Sequence, residues 1–308
     1  MHSLKSLKTI LALTFLVGSL SLLFGCGTSN SNTTPAINSG TNGGMISGTA
    51  VKGPINGGTV TAYAVSNGTM GMQLASGTTD SQGNFAISVG SYTGPLMLQM
   101  SGGTYIDEAT GATMTMLSGN VMTAVMTSLS TGTTGTSIQI TPLTSMAQAM
   151  ASNMAGGMTE ANIAAGNSAI GNYFMVNDIL HTQPMNPLVS GASANATQDM
   201  RNYGMAIAAM TQYAANVGMG SSSAMVTSLM NDASDGVMNG KMGGTSIAMN
   251  GMGNGMMGGG TMMQATAGTS GLAAAMTQFM GSTVNVSGAT TTDVQTLIDR
   301  LNTSAGTI

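Results

Sequence analysis

Six methionines in the carboxyl-terminal third of the chain are the residues whose type and spacing best suit chemistry. They lie in a Gly- and Asn-rich loop at 242–263 that has no strand or helix period: Met249, Met252, Met256, Met257, Met262 and Met263. Thioether sulfurs are soft ligands that suit Cu(I) or Ag(I), and Met-x-x-Met spacings on a flexible segment can gather three of them. The loop therefore predicts a soft-metal site.

Two other interpretations of these methionines stay open. The chain contains 32 methionines, and most of the others stand at helical positions where leucine packs about equally well, so the loop can simply share this bias. Exposed methionines also scavenge oxidants through reversible sulfoxide formation. The loop resembles the Met-rich loops of periplasmic copper-handling proteins, which implies Cu(I) binding, although it lacks the His or Cys that often accompanies them.

The other reactive residue types do not form a catalytic set. His181 is the only histidine after residue 25, and Asp178 lies three positions before it, where the two side chains would meet on a helix. Pro184 follows closely, so we interpret His181 as capping or leaving a helix end. Asp232 and Asp235 precede a glycine and predict a terminating turn, and the sequence supplies no ligand set for zinc or calcium. We therefore predict that the protein is not an enzyme.

The amino-terminal 25 residues have the features of an export signal. Lys5 and Lys8 precede an apolar run at 10–24, and the small Gly25 stands where cleavage would occur. A membrane-spanning helix is the alternative, but the run is shorter than the roughly 20 residues that a bilayer requires. We therefore interpret residues 1–25 as a signal peptide.

Cys26, the single cysteine of the chain, follows that segment directly. Residues 23–26, Leu-Phe-Gly-Cys, resemble the lipobox of bacterial lipoproteins, which implies diacylglyceryl attachment to the Cys26 sulfur and acylation of the new amino terminus. Two or more lipid chains hold a protein stably on a membrane. Gly27 follows instead of an acidic residue, which in the resembling families implies the outer membrane, on its periplasmic or its cell-surface face.

The composition limits the classes of partner. Only 5% of the residues are charged, and the cations after residue 25 are Lys52, Arg201, Lys241 and Arg300. Four scattered cations do not neutralise a run of phosphates, so no nucleic-acid partner is expected. A weakly charged surface rich in Ser, Thr, Asn and Gly suits a carbohydrate or another envelope protein, without steering by charge.

A change of periodicity divides the chain and predicts an α+β multidomain fold. Residues 26–45 are rich in Ser, Asn, Thr and Gly and predict a flexible tether behind the lipidated cysteine. Residues 46–140 alternate apolar and polar positions between turn signals, which predicts an antiparallel β-sandwich. From Thr141 the apolar spacing becomes that of helices, which predicts an all-α domain over 141–308. The first predicted helix begins at Thr141. The others span residues 159–174, 196–217, 221–238, 269–280 and 292–301.

Short segments of the β part resemble a carboxypeptidase regulatory-like, or transthyretin-like, β-sandwich module. They lie at 47–54, 58–63 and 79–85, within a resemblance that covers about 46–103. The resemblance implies an accessory module for binding or spacing rather than for catalysis. The order of sandwich and helices also resembles that of bacterial surface lipoproteins of unknown activity. We therefore predict a lipid-anchored envelope protein with a structural or binding role, with soft-metal binding or oxidant scavenging by the Met-rich loop as the alternative.

Overall fold

The chain forms strands first and helices afterwards. The computed structural model of the protein describes residues 44–128, 137–249 and 261–308. The strands of its first part are β1 (Met45–Ala50), β2 (Thr59–Ser66), β3 (Thr69–Thr78), β4 (Asn84–Ser88), β5 (Leu96–Ser101), β6 (Thr104–Ile106), β7 (Thr113–Thr115), β8 (Val121–Met126) and β9 (Ser137–Ile140). Short β10 (Lys241–Met242) and β11 (Thr245–Ser246) form a hairpin late in the chain.

Six α-helices follow the strands within the described residues. They are α1 (Pro142–Asn153), α2 (Glu160–Tyr173), α3 (Gln198–Asn216), α4 (Ser222–Ala233), α5 (Ser270–Met280) and α6 (Thr291–Thr303). The predicted start of the first helix is confirmed, because Thr141 and Thr144 form a reciprocal capping box with Pro142 in the first turn. None of the described helices is long and apolar enough to cross a membrane.

Two sheets make up most of the β part. The larger has the order β3-β2-β5-β8 and is antiparallel throughout, while the smaller has the order β4-β1-β9, with β1 antiparallel to β4 and parallel to β9. Alternate residues of both sheets, such as Val60 and Leu98 of one and Ile46 and Ile138 of the other, belong to one buried cluster. The predicted α+β class is confirmed at the level of mostly antiparallel strands followed by helices, and the parallel pairing of β1 with β9 departs from the predicted antiparallel arrangement.

The helices cover the opposite face of the larger sheet. Met97 and Val125 point to this side and pack with Ala151 of α1 and Ile163 of α2. All six helices contribute to a second, larger apolar cluster. Val226 of α4 inserts into the strand cluster, and all described residues belong to one compact unit. The division into a β-sandwich domain (46–140) and a helical domain (141–308) stays a prediction.

Helix α4 ends earlier than the sequence predicted. It was expected to continue to residue 238, but its last residue is Ala233. Gly236 has a φ of 86°, a left-handed conformation that no right-handed helix contains. The side chain of Asp232 also turns back to accept the backbone N–H groups of residues 239–241. These hydrogen bonds stabilise the turn that follows Ala233, and the helix ends there.

Candidate functional site

The six methionines of the predicted soft-metal site occupy different environments. Met249 and Met263 are buried, with exposed fractions of 2% and 5%, and both belong to the helical core. Met262 is 53% exposed. Met252, Met256 and Met257 lie outside the described residues, as does Cys26. Two of the six side chains therefore anchor the flanks of the loop by packing, and metal binding by the loop stays a prediction.

Asp178 and His181 do meet, but in a surface turn. Oδ1 of Asp178 accepts the backbone N–H groups of Leu180 and His181, and Oδ2 lies 2.7 Å from Nδ1 of His181. Both side chains are about half exposed, and α2 has already ended at Tyr173. Among the described residues, no three His, Cys, Asp or Glu side chains gather as a metal site would require. The pair organises a turn.

Asp232 and Asp235 form the terminating turn that their spacing predicted. The fully buried Asp232 accepts three backbone N–H groups through Oδ1, while Asp235 accepts those of Val237 and Gly243. Burial raises the pKa of Asp232 to about 6, against the lowering effect of the backbone hydrogen bonds. Oδ2 of Asp232 has no hydrogen-bond partner among the described residues. Both carboxylates therefore stabilise the backbone of this turn.

A buried charge pair joins the β part to helix α3, and nothing in the sequence pattern predicted it. Nζ of Lys52 lies 3.5 Å from Oε2 of Glu108 and donates to the hydroxyl of Thr211 at 2.9 Å. The Thr211 hydroxyl donates to the same Oε2 at 2.8 Å, and Oε1 accepts the N–H of Gly53. Nζ also stands 4.7 Å from the centre of the Tyr105 ring. Each charged group therefore has partners inside the protein.

A second buried chain of hydrogen bonds lies beside this pair. The Tyr105 hydroxyl is 3.1 Å from Oγ of Ser222, which donates to Oδ2 of Asp107 at 2.6 Å. Oδ1 of Asp107 accepts from the backbone and the hydroxyl of Thr110. We name the six residues Lys52, Tyr105, Asp107, Glu108, Thr211 and Ser222 the junction cluster. All of them are buried, and the junction cluster connects strands to helices; Asp107, Thr211 and Ser222 also line a pocket of about 490 Å³, including space open to solvent.

An open cleft between α2, α3 and α6 collects polar side chains that face solvent. It encloses about 860 Å³, including space open to solvent. We name it the amide cleft, because four of its side chains are neutral amides near one carboxylate and one guanidinium; it is lined by Gly171, Asn172, Met175, Val176, Asn177, Gln198, Asp199, Asn202 and Arg300. The cleft brings donors, acceptors and an apolar floor together on one accessible surface.

The floor of the amide cleft is the turn that ends α2. Val176 donates its N–H to the carbonyl of Gly171, and Met175 donates to that of Asn172, the two bonds of a Schellman turn. Met175 occupies the position where glycine is usual and has a φ of 55°. A left-handed conformation costs a residue with a side chain about 1–2 kcal/mol. Its carbonyl accepts from Nδ2 of Asn202 at 2.8 Å, so α3 holds the turn in place.

Three further contacts fix the walls of the amide cleft. Oδ2 of Asp199 accepts both the backbone N–H and Nδ2 of Asn177, each at 2.9 Å. Nε2 of Gln198 donates to Oδ1 of Asn202 at 2.8 Å and to a backbone carbonyl of α6. Nε of Arg300 donates to the carbonyl of Tyr173 at 3.1 Å, a cation at the carboxyl end of α2. The fork of this exposed guanidinium carries further N–H donors, and no carboxylate of the described residues forms an ion pair with it.

Sequence reasoning did not identify the amide cleft. Its polar residues are spread from position 171 to position 300, and none of them belongs to a motif with a fixed spacing. The only local signal is the run of polar residues that opens α3. Comparison with known proteins gives no matching family model, no similar curated protein and no similar solved structure.

Proposed function

We propose that this protein is a lipid-anchored binding protein of the bacterial outer membrane, without catalytic activity, and that the amide cleft is its ligand site. The observation that carries the proposal is the cleft itself. It is accessible, and it combines amide, carboxylate and guanidinium groups with the apolar side chains of Met175 and Val176. Concave sites with a few placed polar groups on an apolar floor are the usual form of small-molecule sites.

The ligand class that fits this cleft is a neutral carbohydrate. A sugar hydroxyl both donates and accepts, and amides likewise offer an acceptor oxygen and two N–H donors. Asn172, Asn177 and Gln198 supply such groups, Arg300 adds donors, and Asp199 adds acceptor oxygens. Because the cleft contains one anion and one cation, it has no net charge that would favour a charged ligand.

The absence of catalysis in this proposal rests on where the charged groups lie. Lys52, Asp107 and Glu108 are buried and paired within the junction cluster, and Asp232 serves a turn. A general acid or base must reach a substrate atom within hydrogen-bond distance. These four groups are at most 4% exposed and already have partners within the protein, although Asp107 and Glu108 line pockets, so we assign them to structure rather than to catalysis. The exposed His181 is paired with Asp178 in a turn that is not part of the amide cleft.

The rest of the chain serves to present the cleft. We propose that residues 1–25 direct export, that lipid on Cys26 anchors the protein, and that residues 26–45 form the tether. We also propose that the two sheets are the transthyretin-like sandwich, which acts as a spacer. The buried cluster common to both sheets supports this proposal. The junction cluster then fixes the helices that form the cleft to this spacer.

Calorimetric titration with neutral oligosaccharides tests the ligand site. Maltohexaose, cellohexaose and chitohexaose would be titrated into the full-length protein in detergent and into a variant with Asn172→Ala and Arg300→Gln. We expect at least one probe to bind, and the variant to bind it about 10–30-fold more weakly, because each lost hydrogen bond contributes about 1 kcal/mol. The matched control is Gln295→Ala, an exposed amide on α6 outside the cleft. Equal binding by both variants, or binding of no probe, would contradict the proposal.

A further inference from the structure

A second cleft, separate from the amide cleft and from the Met-rich loop, carries methionines on its wall. It lies over the outer face of the larger sheet and is open to solvent, with about 690 Å³ of space. Four methionines, Met70, Met97, Met158 and Met230, line it together with the polar side chains of Gln99 and Gln148. None of the described residues that line this cleft is charged.

The strand register brings the first two of these methionines to the same face of the sheet. Met97 of β5 pairs with Tyr63 of β2, and Met70 of β3 pairs with Val65 on the other side of β2. The register of β2 with β3 shifts between Tyr63 and Val65, but both residues pack in the same small cluster as Met97, so they and their cross-strand partners lie on the same face. Met97 and Met70 therefore flank β2 on its outer face, within the combined reach of two long and flexible side chains.

The third methionine arrives from the helical part. The N–H of Met158 donates to the carbonyl of Gly68 at 2.7 Å, which fixes Met158 beside the turn that leads into Met70. Met158 and Met97 belong to the same small buried cluster, and each is 4% exposed. Met70 is 50% exposed. Two of the thioethers are thus buried on this face, and the third is half exposed.

The sulfur of Met158 already accepts a hydrogen bond from a polar side chain of the cleft. Nε2 of Gln148 donates to Sδ of Met158 at 3.5 Å, so this sulfur is directed to the part of the cleft where Gln148 lies. A thioether sulfur keeps a second lone pair when it accepts one hydrogen bond. Neutral thioethers bind soft cations, whereas hard cations such as Mg²⁺ and Ca²⁺ prefer oxygen ligands.

We propose that Met70, Met97 and Met158 form a three-sulfur site for a monovalent soft cation, Cu(I) or Ag(I). The absence of charged groups around the cleft favours a monovalent over a divalent ion, because the protein supplies no anion to offset a second charge. The half-exposed Met70 admits the ion and closes on it. This site is independent of the amide cleft and uses none of the six methionines of the Met-rich loop.

An anaerobic titration of the full-length protein with Cu(I), in competition with a chromogenic chelator, tests this site. We expect one equivalent to bind, and binding to weaken at least 100-fold when Met70, Met97 and Met158 are all changed to Leu. The control carries Leu at Met252, Met256, Met257 and Met262 and is expected to bind as the wild type does. Loss of binding in the control with retention in the triple variant, or no competition by the wild type, would overturn the proposal.

A second variant guards against loss of folding in the triple variant. Met70→Leu alone changes a half-exposed side chain, and we expect it to weaken Cu(I) binding about 10-fold while the urea unfolding midpoint stays at the wild-type value. X-ray absorption of the Cu(I)-loaded protein is expected to show three sulfur ligands. Nitrogen or oxygen ligands, or unchanged binding by Met70→Leu, would overturn the proposal.

Discussion

The junction cluster and the amide cleft contain similar polar groups but use them in opposite ways. In the junction cluster, Lys52 and Glu108 are almost completely buried and satisfy one another through Thr211. In the amide cleft, Arg300 and the neighbouring amides stay accessible, and only part of their hydrogen-bonding capacity is used within the protein. Similar polar groups therefore connect the two parts of the molecule at one place and stay accessible to solvent at the other.

This contrast suggests a role for a buried ion pair in a chain of which only 5% of the residues are charged. A buried pair seldom adds stability compared with apolar residues, but it strongly disfavours any packing in which one charge loses its partner. The junction cluster therefore specifies how the helices sit on the strands. In the proposed function, recognition belongs to the accessible amides of the amide cleft together with Asp199 and Arg300.

The largest effect is expected when one half of the buried pair is removed. Lys52→Met should lower the free energy of unfolding by about 3–5 kcal/mol, because the carboxylate of Glu108 then stays buried without its cation. Urea unfolding of the full-length protein measures this change. Lys241→Met, which removes an exposed cation, is the matched control and should change stability by less than about 0.5 kcal/mol.

A double variant of Lys52 and Glu108 tests whether the two buried charges are coupled. Adding Glu108→Gln to Lys52→Met removes the unpaired charge but keeps an oxygen for the N–H of Gly53. We expect the double variant to regain about 2 kcal/mol compared with Lys52→Met alone. If the double variant were as unstable as the sum of its two single variants, the pair would not be coupled, and the contrast with the amide cleft would fail.

A smaller effect is expected from pH at Asp232, the buried carboxylate that lacks a charged partner. Burial raises its folded-state pKa to about 6 from 3.8, so the folded protein holds this proton more tightly than the unfolded chain does. Stability should therefore fall as pH rises from about 4 to 6, and it should be about 1.5 kcal/mol lower at pH 7.5 than at pH 5. Asp232→Asn should abolish that difference in urea unfolding. A variant that keeps the full pH dependence would assign it to another group.

The smallest expected effect concerns the strained turn under the amide cleft. Met175→Gly and Met175→Ala remove the same packing, but only glycine relieves the left-handed backbone at this position. The glycine variant should therefore be about 1 kcal/mol more stable than the alanine variant. Thermal unfolding of both variants compares them directly. Equal stability of the two variants would show that the backbone at position 175 changes conformation in the alanine variant. The turn would then not be a rigid floor of the amide cleft.

The elements of this fold were largely predictable, because buried faces repeat with a local period. The periodic segments correctly predicted α1, α2, α3, α5 and α6. Strand β3 was not predicted, since it lies at the edge of its sheet and none of its side chains is fully buried, which leaves no alternating buried face. The range predicted for α4 was too long, although the terminating turn at Asp232 and Asp235 was predicted, because the turn begins inside that range.

The polar sites were not predictable from local spacing. Lys52 is 56 residues from Glu108 and 159 residues from Thr211, and only the packing of helices on strands brings them together. The amide cleft likewise depends on the ends of three helices. The same holds for the methionines of the Met-rich loop. Met249, Met262 and Met263 have similar sequence surroundings, but folding buries Met249 and Met263 and exposes Met262.

One measurement tests the central contrast most directly. The oligosaccharide that binds most tightly would be titrated into wild type, Arg300→Gln and Lys52→Met at a temperature where all three remain folded. We predict that Arg300→Gln weakens binding about 10-fold with nearly unchanged stability, and that Lys52→Met binds normally although it is much less stable. Normal binding by Arg300→Gln together with lost binding by folded Lys52→Met would contradict this account and place the ligand at the junction cluster.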